Sequence, residues 1–379
     1  MTAGLEPIFV TGATGFIGGR LCEALVQGGT RQVRALVHTY SHAARISRLP
    51  IQLCSGNLLD RESLREALGD AKTIIHLGLG YGSAIVRGTE NLLWAARAAG
   101  VERFIHVSTA AVHGLKPSPG CEAENAPVRF TGNLYCDCKV RAERAVWRHS
   151  KSALHTVILR PSIVYGPYSR WTTRLISDLR QGRGMLIDGG RGICNAVYVD
   201  NLVDAIVLAI ECERAVGESF FVTDAEAISW GDFIRAHAAL MEPAPILREV
   251  TSEEIKAYHR AQGGPWVSSA RATRKVLVSP QFRELLHQIP LTDRLLTWAW
   301  SRTQHLGIDA KDRLRTSIGG HTRLGNHCAF PNLDTWAIQT GTVVFRSNKA
   351  HNVIGYKPRI SFVEGIRRSA QWLRFANYL

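Results

Sequence analysis

Short apolar runs alternate with amphipathic stretches along the first 210 residues of the chain. The apolar runs predict strands, and they are IFV at 8–10, QVRALV at 32–37, IQLCSGN at 51–57, KTIIHLG at 72–78 and RFIHVST at 103–109. Between them, apolar residues recur at helical spacing, in particular in RESLREALG at 61–69 and RGTENLLWAARAAG at 87–100. This alternation predicts an α/β fold with a doubly wound, Rossmann-type parallel sheet.

Two later segments extend the same pattern. HTVILRPSIVYG at 155–166 reads as a strand and its exit loop, and NAVYVDNLVDAIVLAIE at 195–211 reads as a short strand followed by a helix. We therefore predict a dinucleotide-binding domain at 1–190, with 195–225 returning to its sheet. The remainder, 226–379, is predicted to be a smaller substrate-binding region with a helical insertion at 250–330.

The first predicted strand is followed by a glycine-rich turn with the spacing G-x-x-G-x-x-G. Gly12 permits a tight turn, Gly15 lets the backbone approach a pyrophosphate, and Gly18 allows the next helix to pack closely on the strand. The amino end of that helix offers free N–H groups and a partial positive charge to phosphates. The turn therefore predicts a dinucleotide site formed by Gly12, Thr14, Gly15, Phe16, Ile17 and Gly18.

The end of the second strand bears on which dinucleotide is bound. An acidic residue there would accept a hydrogen bond from the ribose 2′-hydroxyl of NAD, but the chain has Leu36, Val37 and His38. His38, with Arg45 and Arg48 nearby, could instead face a 2′-phosphate. The sequence thus favours NADP(H), while NAD(H) remains an alternative.

The segment YCDCK at 135–139 contains a candidate acid–base pair. Tyr135 and Lys139 are separated by one helical turn, so they share one face of a helix. A neighbouring ammonium group favours the phenolate form of a tyrosine, which could then exchange a proton with an alcohol or a carbonyl. Twenty-six residues before the tyrosine, Ser108 and Thr109 end a predicted strand, at the sheet edge where ligands bind in such folds.

The same segment contains two cysteines, which raises the question of a metal site. Cys136 and Cys138 are the only close pair among eight scattered cysteines, and no second pair or histidine cluster accompanies them. We predict no metal, and reduced thiols in a cytoplasmic enzyme.

Taken together, these motifs resemble those of the extended short-chain dehydrogenases/reductases, which include the epimerase/dehydratase and 3β-hydroxysteroid dehydrogenase branches. The matching segments follow the family's order and spacing; they are TGATGFIGG at 11–19, GNLLD at 56–60, RGTENLL at 87–93, VSTAAVHG at 107–114, Y-x-x-x-K at 135–139, LRPSIVYGP at 159–167 and VYVDN at 197–201. The resemblance implies that Thr109 hydrogen-bonds the reacting oxygen, that Tyr135 is the acid/base and that Lys139 binds the nicotinamide ribose.

The resemblance also implies further cofactor contacts. It places Asn57 and Leu58 near the adenine, Leu77 and Gly78 near the phosphates and ribose, and Ser108, Pro161 and Ile163 near the nicotinamide.

Three departures from the family pattern concern the reaction. Ile85 stands where an asparagine is frequent, and His113 replaces a usual tyrosine. The Asp-Glu pair of related dehydratases is replaced by Ala110 and Ala111, so elimination of water by that route is not expected. We therefore predict a reductase or dehydrogenase that interconverts a ketone and a secondary alcohol, in secondary-metabolite or glycan metabolism.

Two alternatives stay open. A nucleotide-sugar 4-epimerase with retained NAD is disfavoured because Cys194 and Asn195 stand where such members carry Arg-Asp before VYVDD. A non-redox or cofactor-sensing member is the second alternative, although its relatives usually lack the catalytic tyrosine, which is present here.

The net charge of the chain and the distribution of its apolar residues limit which partners it is expected to bind. The net charge is +14, and most of it lies beyond residue 245, which would suit an anionic or phosphorylated small-molecule substrate; no nucleic-acid motif accompanies it. The start of the chain shows no signal-peptide pattern and no stretch is long enough for a transmembrane helix.

Three segments remain for other roles. Residues 279–307 predict a helix that packs on the cofactor domain, or alternatively a lid or a peripheral membrane contact, and 309–332 predicts a loop. By analogy with the family, the helices of 88–99 and 136–149 could form a homodimer contact.

Overall fold

A computed structural model describes residues 7–29, 32–78, 80, 82–150, 154–262 and 330–379. The strands are β1 Ile8–Thr11, β2 Val33–Val37, β3 Gln52–Ser55, β4 Thr73–His76, β5 Arg103–Val107, β6 His155–Pro161, β7 Ile163–Tyr165, β8 Met185–Ile187, β9 Ile193–Cys194, β10 Ala196–Tyr198, β11 Ser219–Val222, β12 Ile228–Ser229 and β13 Arg248–Val250. The helices are α1 Phe16–Gln27, α2 Arg61–Leu68, α3 Ser83–Ala98, α4 Leu134–His149, α5 Arg170–Arg180, α6 Val199–Glu211, α7 Trp230–Ala238, α8 Ser252–Gln262, α9 Leu333–Gln339, α10 Asn348–Ile354 and α11 Phe362–Phe375.

A seven-stranded sheet in the order β11-β6-β5-β4-β1-β2-β3 forms the centre, and each neighbouring pair in it is parallel. The order reverses between β1 and β4, the switch point at which doubly wound sheets bind ligands. The predicted α/β, Rossmann-type fold is confirmed. Three further two-stranded pairs lie outside this sheet, namely β10 with β7, β12 with β9, and β13 with β8.

Successive residues of the central strands point to two different cores. Ile8 and Val10 pack with α1 and α6 on one face, whereas Phe9 packs with α2, α3 and α4 on the other. Because both faces are covered, β1, β4 and β5 are buried along their whole length. Their carboxyl ends are therefore held rigidly, which matters for the side chains that follow them.

The chain divides into two compact units, Met1–Val250 with Ala337–Leu379, and Thr251–Trp336. In the second unit, Trp336 donates a hydrogen bond from Nε1 to Ser252 Oγ at 2.8 Å, and Tyr258 contacts Phe330. Residues 263–329 lie outside the described residues, and with them the predicted helix of 279–307 and most of the loop of 309–332. The predicted domain boundaries at 190 and 226 stay predictions.

Within the described part of the chain, none of the helices has the length and apolar character needed to span a membrane.

Candidate active site

The glycine-rich turn adopts the backbone that the sequence predicts. Gly12 has a φ of +69°, and a Cβ at this position would lie 2.7 Å from the carbonyl oxygen of Leu77. A Cβ on Gly18 would lie 2.1 Å from the carbonyl oxygen of Gly12, so a side chain here would force α1 away from β1. Glycine is thus required at both positions. At Gly12 the carbonyl of Leu77 leaves no room for a side chain, and at Gly18 the helix packs too closely on the turn.

The amino end of α1 suits a phosphate group. Gly15 is the N-cap residue and offers no side chain to the free N–H groups of the first turn, and that turn contains no acidic residue. The positive end of the helix is therefore left for an external anion. Thr14, Phe16 and Ile17 flank this point, so the residues present fit the pyrophosphate of a dinucleotide.

The predicted adenine and ribose residues lie together beside this turn. The backbone N–H of Gly78 donates to Thr11 Oγ1 at 3.1 Å, and a Cβ on Gly78 would lie 2.7 Å from Leu58 Cδ1. Asn57 accepts a hydrogen bond from the N–H of Leu59 through Oδ1, which shapes the loop after β3. Leu58 and Gly78, 20 residues apart in sequence, thus meet near Leu77 and Gly12.

The three residues predicted to face a 2′-phosphate have different environments. His38 follows β2 and is exposed. Arg45 is half-buried along α1, where its Nε lies 3.1 Å from Glu23 and its guanidinium stacks over Tyr168 at 4.2 Å. Arg48 is exposed and makes no ion pair within the described segments. His38 is therefore more available than Arg45 for a ligand at this edge.

The side chains of Tyr135 and Thr109 lie close together although they come from different elements. Tyr135 lies in the first turn of α4, whose N-cap residue Asn133 accepts from the N–H of Cys136 at 3.2 Å. Thr109 follows β5 and caps the 3₁₀ turn Ala110–His113 by accepting from the N–H of Ala111. Desolvation raises the pKa of Tyr135, although 40% of the residue surface is exposed. The interaction with the neighbouring Thr109 hydroxyl has the opposite effect and lowers this pKa.

Lys139 is buried one turn further along α4, with 3% of its surface exposed. Its Nζ donates a hydrogen bond to the carbonyl oxygen of Val107, the last residue of β5, at 3.1 Å. Burial lowers the pKa of this ammonium group to about 8, and the carboxylate of Glu143 opposes the change. The structure thus brings Thr109, Tyr135 and Lys139 to the carboxyl end of β5, as predicted.

Ser108, Pro161 and Ile163 line the same edge of the sheet. Ser108 is 6% exposed, and its Oγ has no hydrogen-bond partner among the described residues, so it is free to serve a ligand. Pro161 ends β6 and Ile163 begins β7; both are buried.

Four buried polar residues in or next to α4 were not predicted as site residues. Glu143 and Arg160 form an ion pair of 2.7 Å with side chains 1% and 4% exposed. His76 and His106 stack at 5.3 Å under α4, and burial followed by the charge of Lys139 lowers the pKa of both, that of His76 to about 3. The sequence contained a signal for one of them, since Glu143 follows Lys139 by one helical turn.

The departures from the family pattern form apolar surroundings. Ile85 packs with Cys138 and Ala142, so the cysteine lies in a hydrophobic cluster. His113 stacks on Phe221 at 5.5 Å, and burial lowers its pKa to about 4. In the described part of the chain, no group of three or more metal-ligating side chains is found.

Comparisons with known proteins identify the family that the chain matches. Residues 8–222 match the model of the NAD dependent epimerase/dehydratase family. A ketoreductase of Stigmatella aurantiaca, which acts on 4-hydroxy-2-methyl-3-oxo-4-farnesyl-3,4-dihydroquinoline-1-oxide, is 31% identical over 323 residues, or 80% of this chain and 94% of the relative. A 2-alkyl-3-oxoalkanoate reductase of Stenotrophomonas maltophilia is 29% identical over 60% of this chain and 73% of its own length.

A solved structure gives the same fold. The UDP-glucuronic acid 4-epimerase of Bacillus cereus, in complex with UDP-glucuronic acid and NAD, superimposes with a TM-score of 0.67 over 98% of this chain and 99% of that one, at 18% identity.

Proposed function

The chain belongs to the NAD dependent epimerase/dehydratase family and is an NAD(P)-dependent oxidoreductase of the extended short-chain type; on that premise we propose that it reduces an apolar ketone to a secondary alcohol with NADPH. The observation that carries this proposal is the proximity of the Tyr135 phenol to the Thr109 hydroxyl beside the buried Lys139. Two hydroxyl groups and one ammonium group converge where β5 ends. Ala110 and Ala111 stand where related dehydratases carry two carboxylates, so the groups needed to eliminate water are absent at these positions.

Tyr135 is the proton donor in the proposed reaction. Because desolvation raises its pKa, the phenol is neutral at physiological pH and has a proton to give to a carbonyl oxygen. The Thr109 hydroxyl would hydrogen-bond the same oxygen and orient it. Lys139 would stabilise the phenolate left behind and hold the nicotinamide ribose. A bound nicotinamide cofactor would supply the hydride.

Preference for NADP(H) is proposed from the end of β2. No carboxylate stands there to accept a hydrogen bond from a ribose 2′-hydroxyl, and the exposed His38 could donate one to a 2′-phosphate. Arg45 contributes less to the proposal, because Glu23 and Tyr168 already hold its guanidinium.

An apolar substrate is proposed from the wall next to Thr109. Ala110, Phe221, Val343 and Phe345 form one buried cluster, in which the two phenylalanine rings lie 4.5 Å apart. Val343 and Phe345 arrive from the far end of the chain, and Asn195 fixes them by donating to the carbonyl of Val343 and accepting from the N–H of Phe345. The named substrates of the two reductases compared above also combine a keto group with alkyl or prenyl chains.

A separate cavity does not favour an anionic substrate group. It has a volume of about 390 Å³ and is bordered by the cations Arg346 and Lys357 but also by the acidic residues Asp224 and Glu226. This cavity does not touch Thr109, Tyr135 or Lys139.

The 4-epimerase alternative is less well supported. Cys194, which is buried, stands where sugar-nucleotide members carry the arginine of the Arg-Asp pair, so this position offers no cation to a diphosphate. Both ends of the Asn195 side chain are used to hold the segment of Val343 and Phe345.

Cofactor retention separates the two reactions. We would denature the purified protein, identify any released nicotinamide by mass spectrometry, and titrate NADPH and NADH calorimetrically into the cofactor-free protein. The ketone reductase should bind NADPH reversibly and more tightly than NADH, and should oxidise it in the presence of long-chain β-keto compounds. Tightly retained NAD would support the epimerase, and failure to bind either cofactor would support a non-redox role.

A further inference from the structure

Arg160 connects three separate elements around the catalytic helix. Its Nε and Nη2 donate to Glu143 of α4 at 3.0 and 2.7 Å, in a two-pronged contact. Its Nη1 donates to the carbonyl oxygen of Glu124 at 2.8 Å and lies 3.5 Å from Nε2 of His113. One guanidinium on β6 therefore contacts a helix, a loop and a 3₁₀ turn.

Two of these elements carry the proposed catalytic hydroxyl groups. Glu143 lies two turns after Tyr135 on the same face of α4, with Lys139 between them. His113 ends the 3₁₀ turn that Thr109 begins. A shift of Arg160 would therefore change the position of Thr109 relative to Tyr135, because Tyr135 lies about 12 Å from Glu143 along the same helix and Thr109 caps the turn that His113 ends.

We propose that Arg160 and Glu143 are positioning residues, which hold the helix of Tyr135 and Lys139 in register with the turn of Thr109 and place a carboxylate beside Lys139. This inference rests on the proposed function, because it assigns the pair a role in proton transfer by Tyr135. Neither residue touches the reacting atoms.

The histidines near Lys139 do not replace the carboxylate. His76 on β4 and His106 on β5 are both buried, and burial lowers the pKa of each, so they stay neutral at physiological pH. His113 on the 3₁₀ turn faces Arg160, and burial lowers its pKa as well. Glu143 is the carboxylate that favours the charged form of Lys139, against the effect of burial.

The contact network of the pair exceeds what packing requires. A buried ion pair pays a desolvation penalty, and apolar side chains of similar volume generally stabilise a fold equally well. Here the charged pair also satisfies the carbonyl of Glu124, whose own carboxylate accepts from the N–H of Phe221 in the apolar wall. The ion pair of Glu143 and Arg160 therefore helps to position the site in addition to filling the core.

The test compares Glu143→Gln with Glu213→Gln. Glu213 pairs with Arg103, another buried arginine of the sheet on β5, but its own side chain is 74% exposed, so the control removes the carboxylate partner of a buried arginine away from the site. We expect Glu143→Gln to lower kcat about 10- to 100-fold, with a much smaller change in the Kd of NADPH, because the catalytic groups are misplaced. The alkaline limb of its kcat profile should move to lower pH, since Lys139 loses its proton more easily.

A second readout does not depend on turnover. The titration of Lys139 in the cofactor-free protein, followed by NMR of ¹³C-labelled lysines and assigned with Lys139→Met, should move to lower pH in Glu143→Gln, because the carboxylate that favours the charged ammonium group is gone. Glu213→Gln should leave both titrations unchanged. If Glu143→Gln matches that control in both, the positioning role is wrong.

Two further variants cover the case in which Glu143→Gln does not fold. Glu143→Asp keeps the carboxylate and should restore most of kcat and the wild-type titration of Lys139. The double variant Glu143→Leu/Arg160→Met removes both charges and should fold, yet show the titration of Lys139 displaced to lower pH. Wild-type titration in the folded double variant would overturn the inference. If wild type binds no nicotinamide, or Tyr135→Phe turns over normally, the proposed function fails instead.

Discussion

The ammonium group of Lys139 donates a hydrogen bond to the carbonyl oxygen of Val107, 3.1 Å away, and so ties the catalytic helix to the last residue of β5. Thr109 follows two residues later, so the same contact fixes the helix relative to the turn that carries the second hydroxyl group. The buried position lowers the pKa of Lys139 to about 8, which makes its charge sensitive to the groups around it.

Tyr135→Phe should abolish turnover and keep cofactor binding. The phenol is the proposed proton donor, and loss of a positioned acid typically costs about 10²- to 10⁴-fold in rate. NADPH oxidation with a keto substrate measures the rate, and calorimetry measures the Kd of NADPH. Tyr168→Phe, at an exposed tyrosine, is the control and should retain wild-type rates. A Tyr135→Phe protein with unchanged kcat would contradict the assigned role.

Lys139→Met should weaken NADPH binding and yet stabilise the cofactor-free protein at pH 7. The pKa of Lys139 is lowered from 10.5 to about 8, which corresponds to a cost of about 3 kcal/mol for burying the charge at pH 7. Losing the hydrogen bond to Val107 offsets part of this gain, about 1–2 kcal/mol.

The pH dependence of that difference follows from the sign of the shift. Between pH 8 and 10.5 the unfolded wild type holds more protons on this lysine than the folded protein, so wild-type stability rises with pH in this window. The advantage of Lys139→Met in the free energy of unfolding should therefore shrink from pH 8 upwards. Urea unfolding across this range measures it, and Lys72→Met, at a half-exposed lysine, controls for loss of one lysine. A difference that stays constant with pH would argue against a buried charged Lys139.

His38→Asp should shift preference from NADPH towards NADH. A carboxylate at the end of β2 accepts a hydrogen bond from a ribose 2′-hydroxyl and repels a 2′-phosphate. We expect the Kd of NADPH to rise about 10-fold or more, consistent with the loss of a charge-assisted contact. His42→Asp, at another exposed histidine nearby, should have a smaller effect. Equal effects of the two substitutions would show that His38 does not face the phosphate.

Gly12→Ala should destabilise the protein and abolish cofactor binding. Its φ of +69° and the carbonyl of Leu77 at 2.7 Å from a Cβ combine backbone strain with a clash. Gly29→Ala is a matched control, because its φ is +64° but nothing lies within 4 Å of the added Cβ. The control should lose about 1 kcal/mol of its free energy of unfolding because of backbone strain alone. In urea unfolding, Gly12→Ala should lose clearly more free energy than Gly29→Ala. Equal losses would show that the contact with Leu77 does not restrict residue 12 to glycine.

The sequence determined the features that depend on local spacing. The strand–helix alternation predicted the parallel sheet because period and length identify each element separately. The turn at Gly12 and the i, i+4 relation of Tyr135 and Lys139 were readable because their geometry is set within a few residues. The NADP(H) preference, the acid/base role of Tyr135 and the substrate region stay predictions.

Only the tertiary structure decided which distant groups meet. Arg160 could have paired with several acids, and its contact with Glu143 exists because β6 lies next to α4. Arg45 appeared available for a phosphate until the fold placed Glu23 beside it. Val343 and Phe345 reach the wall next to Thr109 from more than 200 residues away. Burial also sets the pKa of Lys139 and Tyr135, and burial is a property of the assembled core, which a local pattern does not specify.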